Sequence, residues 1–279
     1  MKGLEFKIEG PIAEDGIPIH LAINALDNFQ SIIDKTYLVA AGSQRMTAKE
    51  RESFQVKAKY FKIGSFITDF EICLYGVQLV LPFISTFGPQ NVWEYTKETF
   101  MFLKLVCAAI HSDKKPTYEF NENRDFTVHT GDIHQHFNGP VFLIGEKALP
   151  NYQNLAHLLE PGKVEVISAG SQGSPEIKLD LNDRTLFDFP INLVDQPYEI
   201  ECEIFDFNKF KNNGRLRVND GQGIPPGDYS FSIFGSQDNV NYIYSMLKPL
   251  VTIECLVEVG VNPFEREKIV HLQITGIRP

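Results

Sequence analysis

The sequence predicts an α+β protein, an N-terminal α+β domain followed by a small five-stranded β-barrel. Three observations carry this. Residues 198–279 hold five stretches of alternating apolar and polar residues, with one short helical stretch between the third and the fourth. The preceding part mixes two long stretches of helical period with several of period two. A cluster of small, polar and proline residues lies between them. The expected division is therefore 1–170 as the α+β domain, 171–197 as linker and lead-in strand, and 198–279 as the barrel.

In the N-terminal part, residues 4–8 alternate, the period of a half-buried strand, and Gly10-Pro11 breaks it. Residues 18–41 form a helix, because Leu21, Ala25, Leu26, Phe29, Ile32, Ile33, Tyr37 and Leu38 recur at three and four. Gly42 is its stop signal. Thr47-Ala48-Lys49-Glu50 fits a capping box. Residues 54–63 and 66–74 alternate on either side of Gly64-Ser65 and read as a hairpin. Residues 79–87 are apolar and interrupted by Pro82. The second long helix is 89–110, with an unusually wide apolar stripe. After the polar break 112–116, residues 126–128 and 133–137 read as a more polar hairpin. A short helix follows Pro150 over 149–159, then a strand over 163–168. Residues 169–175 read as loop or linker, and 177–181 as a further strand.

The barrel begins with Glu199-Ile200-Glu201-Cys202-Glu203-Ile204, in strict alternation. Arg215 to Val218 is strand two, and 229–234 is strand three, after the turn-rich Asn219-Asp220-Gly221 and Pro225-Pro226-Gly227. Asp238 is placed to cap a short helix through Met246, with Val240, Ile243, Tyr244 and Leu247 on one stripe. Strand four is 251–259, with Val251, Ile253, Cys255, Val257 and Val259 inward. Strand five is 268–277, with Val270, Leu272 and Ile274 inward. Three strands, a helix and two strands is the order of an oligonucleotide/oligosaccharide-binding (OB-like) fold. An SH3-like barrel is the competitor.

A chain of 279 residues with 43% hydrophobic and 22% charged residues can bury a real core. Net charge is −10; from Pro197 onward eight Lys/Arg face eleven Asp/Glu, or −3, which leaves −7 for the rest. Neither part has the basic balance of a duplex-DNA binder. The four cysteines, Cys73, Cys107, Cys202 and Cys255, form no CxxC and read as small buried hydrophobes in a reducing compartment. No signal-peptide pattern opens the sequence, and no run of eighteen apolar residues occurs. The expectation is a cytoplasmic protein without membrane insertion.

Four candidate sites stand out. His129, Asp132, His134 and His136 form the best metal candidate, since residues two apart on a strand face one way. Solvated polar residues around Gly131 explain them as well, and the expectation is no metal and no cofactor. Glu50, Arg51, Glu52, Lys57 and Lys59 offer the residue types of an acid/base constellation, but strand alternation already explains them as one solvated face. The helix around Trp93 and Phe100-Met101-Phe102 reads as domain core before interface. Gly64-Ser65, Gly170-Ser171 and Gly173-Ser174 match no phosphate loop, and no GxSxG elbow occurs. The first barrel loop is the most informative. Phe205, Phe207 and Phe210 lie beside Lys209, Lys211, Arg215 and Arg217. Aromatic rings interleaved with cations suit a macromolecular partner, including single-stranded nucleic acid. Glu199, Glu201 and Glu203 on the neighbouring strand weigh against a phosphate chain.

Phe207-Asn208-Lys209, Gly214-Arg215-Leu216-Arg217-Val218, Ile224-Pro225-Pro226-Gly227-Asp228-Tyr229 and Val261-Asn262-Pro263-Phe264, with Phe29-Gln30 and Gly64-Ser65-Phe66, make the chain resemble a family of uncharacterised bacterial proteins. That family has an N-terminal α+β region and a C-terminal five-stranded β-barrel. The resemblance implies a bacterial, intracellular source and carries no catalytic residue over.

The functional expectation is a non-enzymatic binding or adaptor protein docking a protein partner, with mobile-element or phage conflict as a fitting context. The alternatives are single-stranded nucleic-acid binding through the barrel, and a metal-dependent hydrolase at the histidine hairpin.

Overall fold

The structure is a computed structural model. It describes residues 4–13, 16–62, 66–75, 88–122, 125–171, 173–189, 191–219, 223–261, 263–264 and 268–278, with backbone alone for 60–62 and 268. Helices and strands are both plentiful, so the chain is α+β. It divides into two compact units, Met1–Asp188 and Phe189–Pro279. Among the described residues no helix is long and apolar enough to cross a membrane.

The first unit contains, in order, β1 (Leu4–Glu9), α1 (Ile19–Ala40), α2 (Ala48–Ser53), β2 (Phe54–Lys62), β3 (Phe66–Leu74), α3 (Pro89–His111), β4 (Thr117–Phe120), β5 (Phe126–Thr130), β6 (Ile133–Phe137), α4 (Pro140–His157), β7 (Val166–Ser171) and β8 (Ser174–Asp180). Its main sheet has the order β2-β3-β1-β7-β8 and is antiparallel throughout. Leu4, Phe6 and Ile8 are buried while Glu5, Lys7 and Glu9 are not, so one face of β1 meets the helices. Phe29 of α1 packs on Phe6 and Phe70, with ring centroids 4.5 and 5.1 Å apart, and Trp93 of α3 packs on Phe70 at 5.8 Å. Thr47 and Glu50 form the expected capping box at α2. A second, antiparallel sheet β4-β5-β6 packs Phe126 and Phe137 around the fully buried Phe102.

Glu176 on β8 joins sheet to helix by accepting from Trp93 Nε1 at 2.9 Å and Lys97 Nζ at 2.7 Å. Burial alone raises its carboxyl, but the bonds from Lys97 and Trp93 outweigh that and hold it below the ordinary glutamate value. A depressed folded pKa gives stability that is complete above the unfolded value and is lost as pH falls through the folded one. The wild type should therefore lose stability faster than Glu176→Gln as pH drops below about 4.3. The urea midpoint of Trp93 fluorescence measures this, and equal slopes for the two proteins would count against it.

Three expectations for this unit change. The polar hairpin gains β4, whose sequence Thr-Tyr-Glu-Phe is mostly exposed and is a strand because it pairs with β5. Helix α4 begins at Pro140 and runs through Pro150. An interior proline costs about 3 kcal/mol; burial of Val141, Ile144, Ala148, Leu149, Tyr152 and Leu155 outweighs it. The stretch expected as a linker from residue 171 is instead hairpin β7–β8, with Ile177 and Leu179 buried. Its small residues serve close packing: a Cβ on Gly170 would lie 2.5 Å from Glu176 N. The turn Gly64-Ser65, the stretch 79–87 and Asp220-Gly221 lie outside the described residues.

The second unit contains β9 (Ile191–Asn208), β10 (Asn213–Val218), β11 (Gly227–Ile233), α5 (Asn239–Ser245), β12 (Val251–Gly260) and β13 (Lys268–Arg278). These strands close into a barrel in the order β10-β11-β13-β12-β9. All neighbours are antiparallel except β11 and β13, which run parallel. Strand β9 is long enough to pair with β12 over its first part and β10 over its last. Ile200, Cys202, Ile204, Leu216, Val218, Phe231, Ile253, Cys255, Leu272 and Ile274 fill the interior.

One inward assignment changes, and the facing of the helix is settled. Val270 is 39% exposed, because the register shift between Glu258 and Val259 interrupts alternation across β12 and β13. Helix α5 is capped by Asp238, which accepts from Val240 N–H. It turns Tyr242 and Ser245 to the barrel, and the apolar stripe Val240, Ile243, Tyr244 and Leu247 is exposed.

Candidate functional site

The β9–β10 hairpin carries the residues singled out in the sequence. Its tip is fixed by its own polar groups. Asn208 Oδ1 accepts from the N–H groups of Phe210 and Lys211 at 3.0 and 3.2 Å. Asn212 sits at φ +52°, which closes the turn. Asn239 of α5 donates to Lys209 O at 3.1 Å and Asn212 Oδ1 at 3.0 Å, tying the tip to the helix. On this held backbone Phe210 is 87% exposed, with Lys209 Nζ 5.1 Å from its ring centroid. Lys209 and Lys211 have no carboxylate partner among the described residues.

Below the tip, Phe205 faces outward between two guanidinium groups. Arg215 and Arg217 lie 5.5 and 5.6 Å from its ring centroid, within cation–π range. Each arginine also stands opposite a carboxylate. Arg215 pairs across the strands with Asp206, and Arg217 with Glu203 and Asp228. Arg217 makes a two-point bond to Asp228, at 2.7 and 3.1 Å, which holds the Asp228 carboxyl below its ordinary value. Phe207 departs from expectation. It turns inward and stacks on Tyr242 at 5.2 Å and Phe231 at 6.2 Å, so it belongs to the barrel core. Phe205, Lys209, Phe210, Lys211, Arg215 and Arg217 are all exposed.

The histidine hairpin brings two of its members together. His129 and His134 are cross-strand partners, and their Nδ1 atoms lie 2.5 Å apart, one donating to the other. His129 Nε2 lies 3.3 Å from Glu119 Oε2. His136 stands opposite Thr127, two pairs further along. Among the described residues no group of three or more His, Cys, Asp or Glu side chains is placed to hold a metal ion.

The remaining candidates disperse. Arg51 is bound in two-point fashion to Asp34, at 3.0 and 2.7 Å. Glu50 serves the capping box, Lys57 bonds Tyr75 and Lys59 bonds Glu71, so these charges converge on no common point. Trp93, Phe100 and Phe102 are core residues, and Met101 is 51% exposed. Gly170-Ser171 and Gly173-Ser174 lie at the β7–β8 turn, beside a recess that Glu5, Lys7 and Glu9 also line. Burial pushes the thiols of Cys107 and Cys202 up to about 12 and that of Cys255 to about 11, so these three are protonated at neutral pH and are not nucleophiles.

One surface escaped the sequence reading. Phe234, Tyr244 and Leu247 are 55%, 61% and 82% exposed around α5. No local signal marked it: Tyr242 is the residue that enters the barrel because it stacks on Phe207 and Phe231, and the inward facing of Phe207 is itself set by the fold. Comparison with protein-family models, with curated proteins and with solved structures finds no match to this chain.

Proposed function

We propose that the second unit is an OB-like binding barrel, and that the protein is a non-enzymatic adaptor docking a protein partner through the tip of β9–β10 and the outer face below it. Counting the barrel strands one to five, their order around the ring is one-two-three-five-four. Strands three and five are parallel and α5 stands between three and four. That arrangement supports the OB-like reading over an SH3-like one. In OB folds the face of strands two and three and the loop between strands one and two carry ligands.

The observation that carries the reading is the tip. It presents an 87% exposed ring and two lysines without carboxylate partners on a backbone fixed from two sides. A fixed backbone lowers the ordering cost of binding. A protein is favoured over single-stranded nucleic acid by the charge below the tip. Arg215 and Arg217 each stand opposite carboxylates, and Glu199 and Glu201 continue the acidic side. Tracking a phosphate chain needs an uninterrupted basic groove, whereas alternating charge suits registration of one protein surface on another. The proposed setting is the bacterial cytoplasm, supported by the family resemblance and the cysteine usage, and conflict with a mobile element or phage is a context that suits such a module.

Lys209→Glu with Lys211→Glu is the test. The variant should fold as the wild type does, since both side chains are exposed. Its complex isolated from the native cell should be at least about tenfold weaker, as expected when two charges at an interface are reversed. A short fluorescent single-stranded oligonucleotide provides the counter-test. Sub-micromolar binding at physiological salt, abolished by this double change, would replace the protein reading with the nucleic-acid one.

A further inference from the structure

Helix α5 has two sides with different tasks. Tyr242 and Ser245 are fully buried against the barrel. The opposite side is apolar and bare. Val240, Ile243 and Tyr244 share one face of α5, Leu247 follows in the turn just past its end, and the four are 48%, 43%, 61% and 82% exposed. Phe234 before the helix and Leu250 after it are 55% and 44% exposed. Single exposed apolar residues need no explanation, but a run of them on one element marks an interaction surface.

Charge around this surface has one dominant sign. Lys209 and Lys211 stand on the tip, which Asn239 bonds to the start of α5. Lys248 is exposed at the other end of the helix. The acidic residue of this stretch is Asp238, which is occupied as the helix cap, bonded to Val240 N–H at 2.9 Å. So an apolar face edged by lysines stands on a chain of net charge −10. We infer that this face docks an acidic amphipathic segment of the partner protein, with its apolar side on α5 and its carboxylates against Lys209, Lys211 and Lys248. This rests on the reading of the barrel as a protein-docking module and adds the chemistry of the partner.

Other occupants fit less well. In a two-fold pair of this chain each copy would bring its own lysines to the same interface. An anionic membrane would be repelled by the acidic strands of the same barrel, where Glu199, Glu201 and Glu254 are exposed.

The experiment uses the full chain and a fluorescent amphipathic peptide with Leu and Phe at helical spacing and Glu elsewhere. A matched peptide carries Lys in place of every Glu. The acidic peptide should bind at least about tenfold more tightly than the basic one. Tyr244→Glu with Leu247→Glu, both at exposed positions, should weaken it about tenfold or more, as loss of apolar anchors does. Equal binding of the two peptides, or binding indifferent to the double change, overturns the inference. So does cosedimentation with phosphatidylglycerol vesicles that this change abolishes, or self-association that it relieves. The same variants separate this inference from the broader one. If Lys209→Glu with Lys211→Glu loses the native complex and the α5 variant keeps it, docking at the barrel stands and its extension to α5 falls. If neither variant affects the complex, both fall.

Discussion

Tyr242→Ala is expected to cost the barrel about 3–5 kcal/mol, the usual range for truncating a buried aromatic ring. That is a large part of the roughly 5–15 kcal/mol that a domain possesses. Tyr242 is completely buried and stacks on Phe207 and Phe231, so its loss opens a void against two further rings. Its hydroxyl also donates to Gln237 Oε1 at 2.6 Å, and Gln237 donates in turn to Phe234 O and Ile274 O. The ring thus holds α5 to the end of the barrel and with it the exposed face of that helix. Tyr242→Phe keeps the stack and removes one hydrogen bond, for about 1 kcal/mol. Hydrogen exchange of β12 amides in the full chain measures both. The alanine variant should lose protection by about a hundredfold or more at 1.4 kcal/mol per factor of ten, and the phenylalanine variant by less than tenfold. Trp93, the sole tryptophan, lies in the first unit and reports that unit separately. Similar protection in the two variants would mean that the ring does not hold α5 to the barrel.

Much of the fold was legible because burial on one side of an element writes a period into the sequence. Leu4, Phe6 and Ile8 announce β1, and Phe29, Ile32, Ile33 and Tyr37 announce α1. Local polar chemistry was equally legible at Thr47 with Glu50, and at Asp238. What failed was phase, not period. Helix α5 has apolar residues on both sides, so spacing alone did not say which side enters the barrel. Val270 lies beside a register shift, after which alternation points the wrong way. Proline was read as a boundary at Pro150, yet the apolar face of α4 continues through it. Small residues at 169–175 were read as loop or linker, although strands that approach closely need them too.

The candidate site divides along the same line. Strict alternation places Arg215 and Arg217 on one face, and they do share Phe205 there. Alternation also places Phe207 on that face, and this is where it fails. Arg215 pairs with Asp206 and Leu216 with Ile204, so Phe205 is an extra residue in β9. A bulge of one residue reverses the facing of everything beyond it, and Phe207 turns into the core. Nothing local in Ile-Phe-Asp-Phe announces that bulge. It follows from closing β9 around a barrel, a constraint set by strands distant in sequence.

Gly214 is where this closure depends on a single residue. It stands between Phe207 on β9 and Phe231 on β11. A Cβ there would lie 2.1 Å from Asp206 O and 2.9 Å from two atoms of the Phe231 ring. The first distance is to backbone, beside the bulge, and cannot be relieved by rotating a side chain. Gly214→Val is therefore expected to cost about 3 kcal/mol, the upper part of the range for overfilling a packed site. Gly214→Ala should have the same sign and a smaller size. The variant must also move residue 206, and with it Phe205 and the tip, so partner docking should fall together with stability. Gly227→Ala is the control: its nearest neighbours would be 3.6 Å away or more, ordinary contact, and its effect should stay within about 1 kcal/mol. Exchange protection of β10 amides and recovery of the native complex read the two effects. The Lys209→Glu, Lys211→Glu pair should lose the complex with protection intact, whereas Gly214→Val should lose both. Protection in Gly214→Val equal to that in Gly227→Ala would show that β9 and β10 can part at this point without cost, and that the tip is not held by the barrel beneath it.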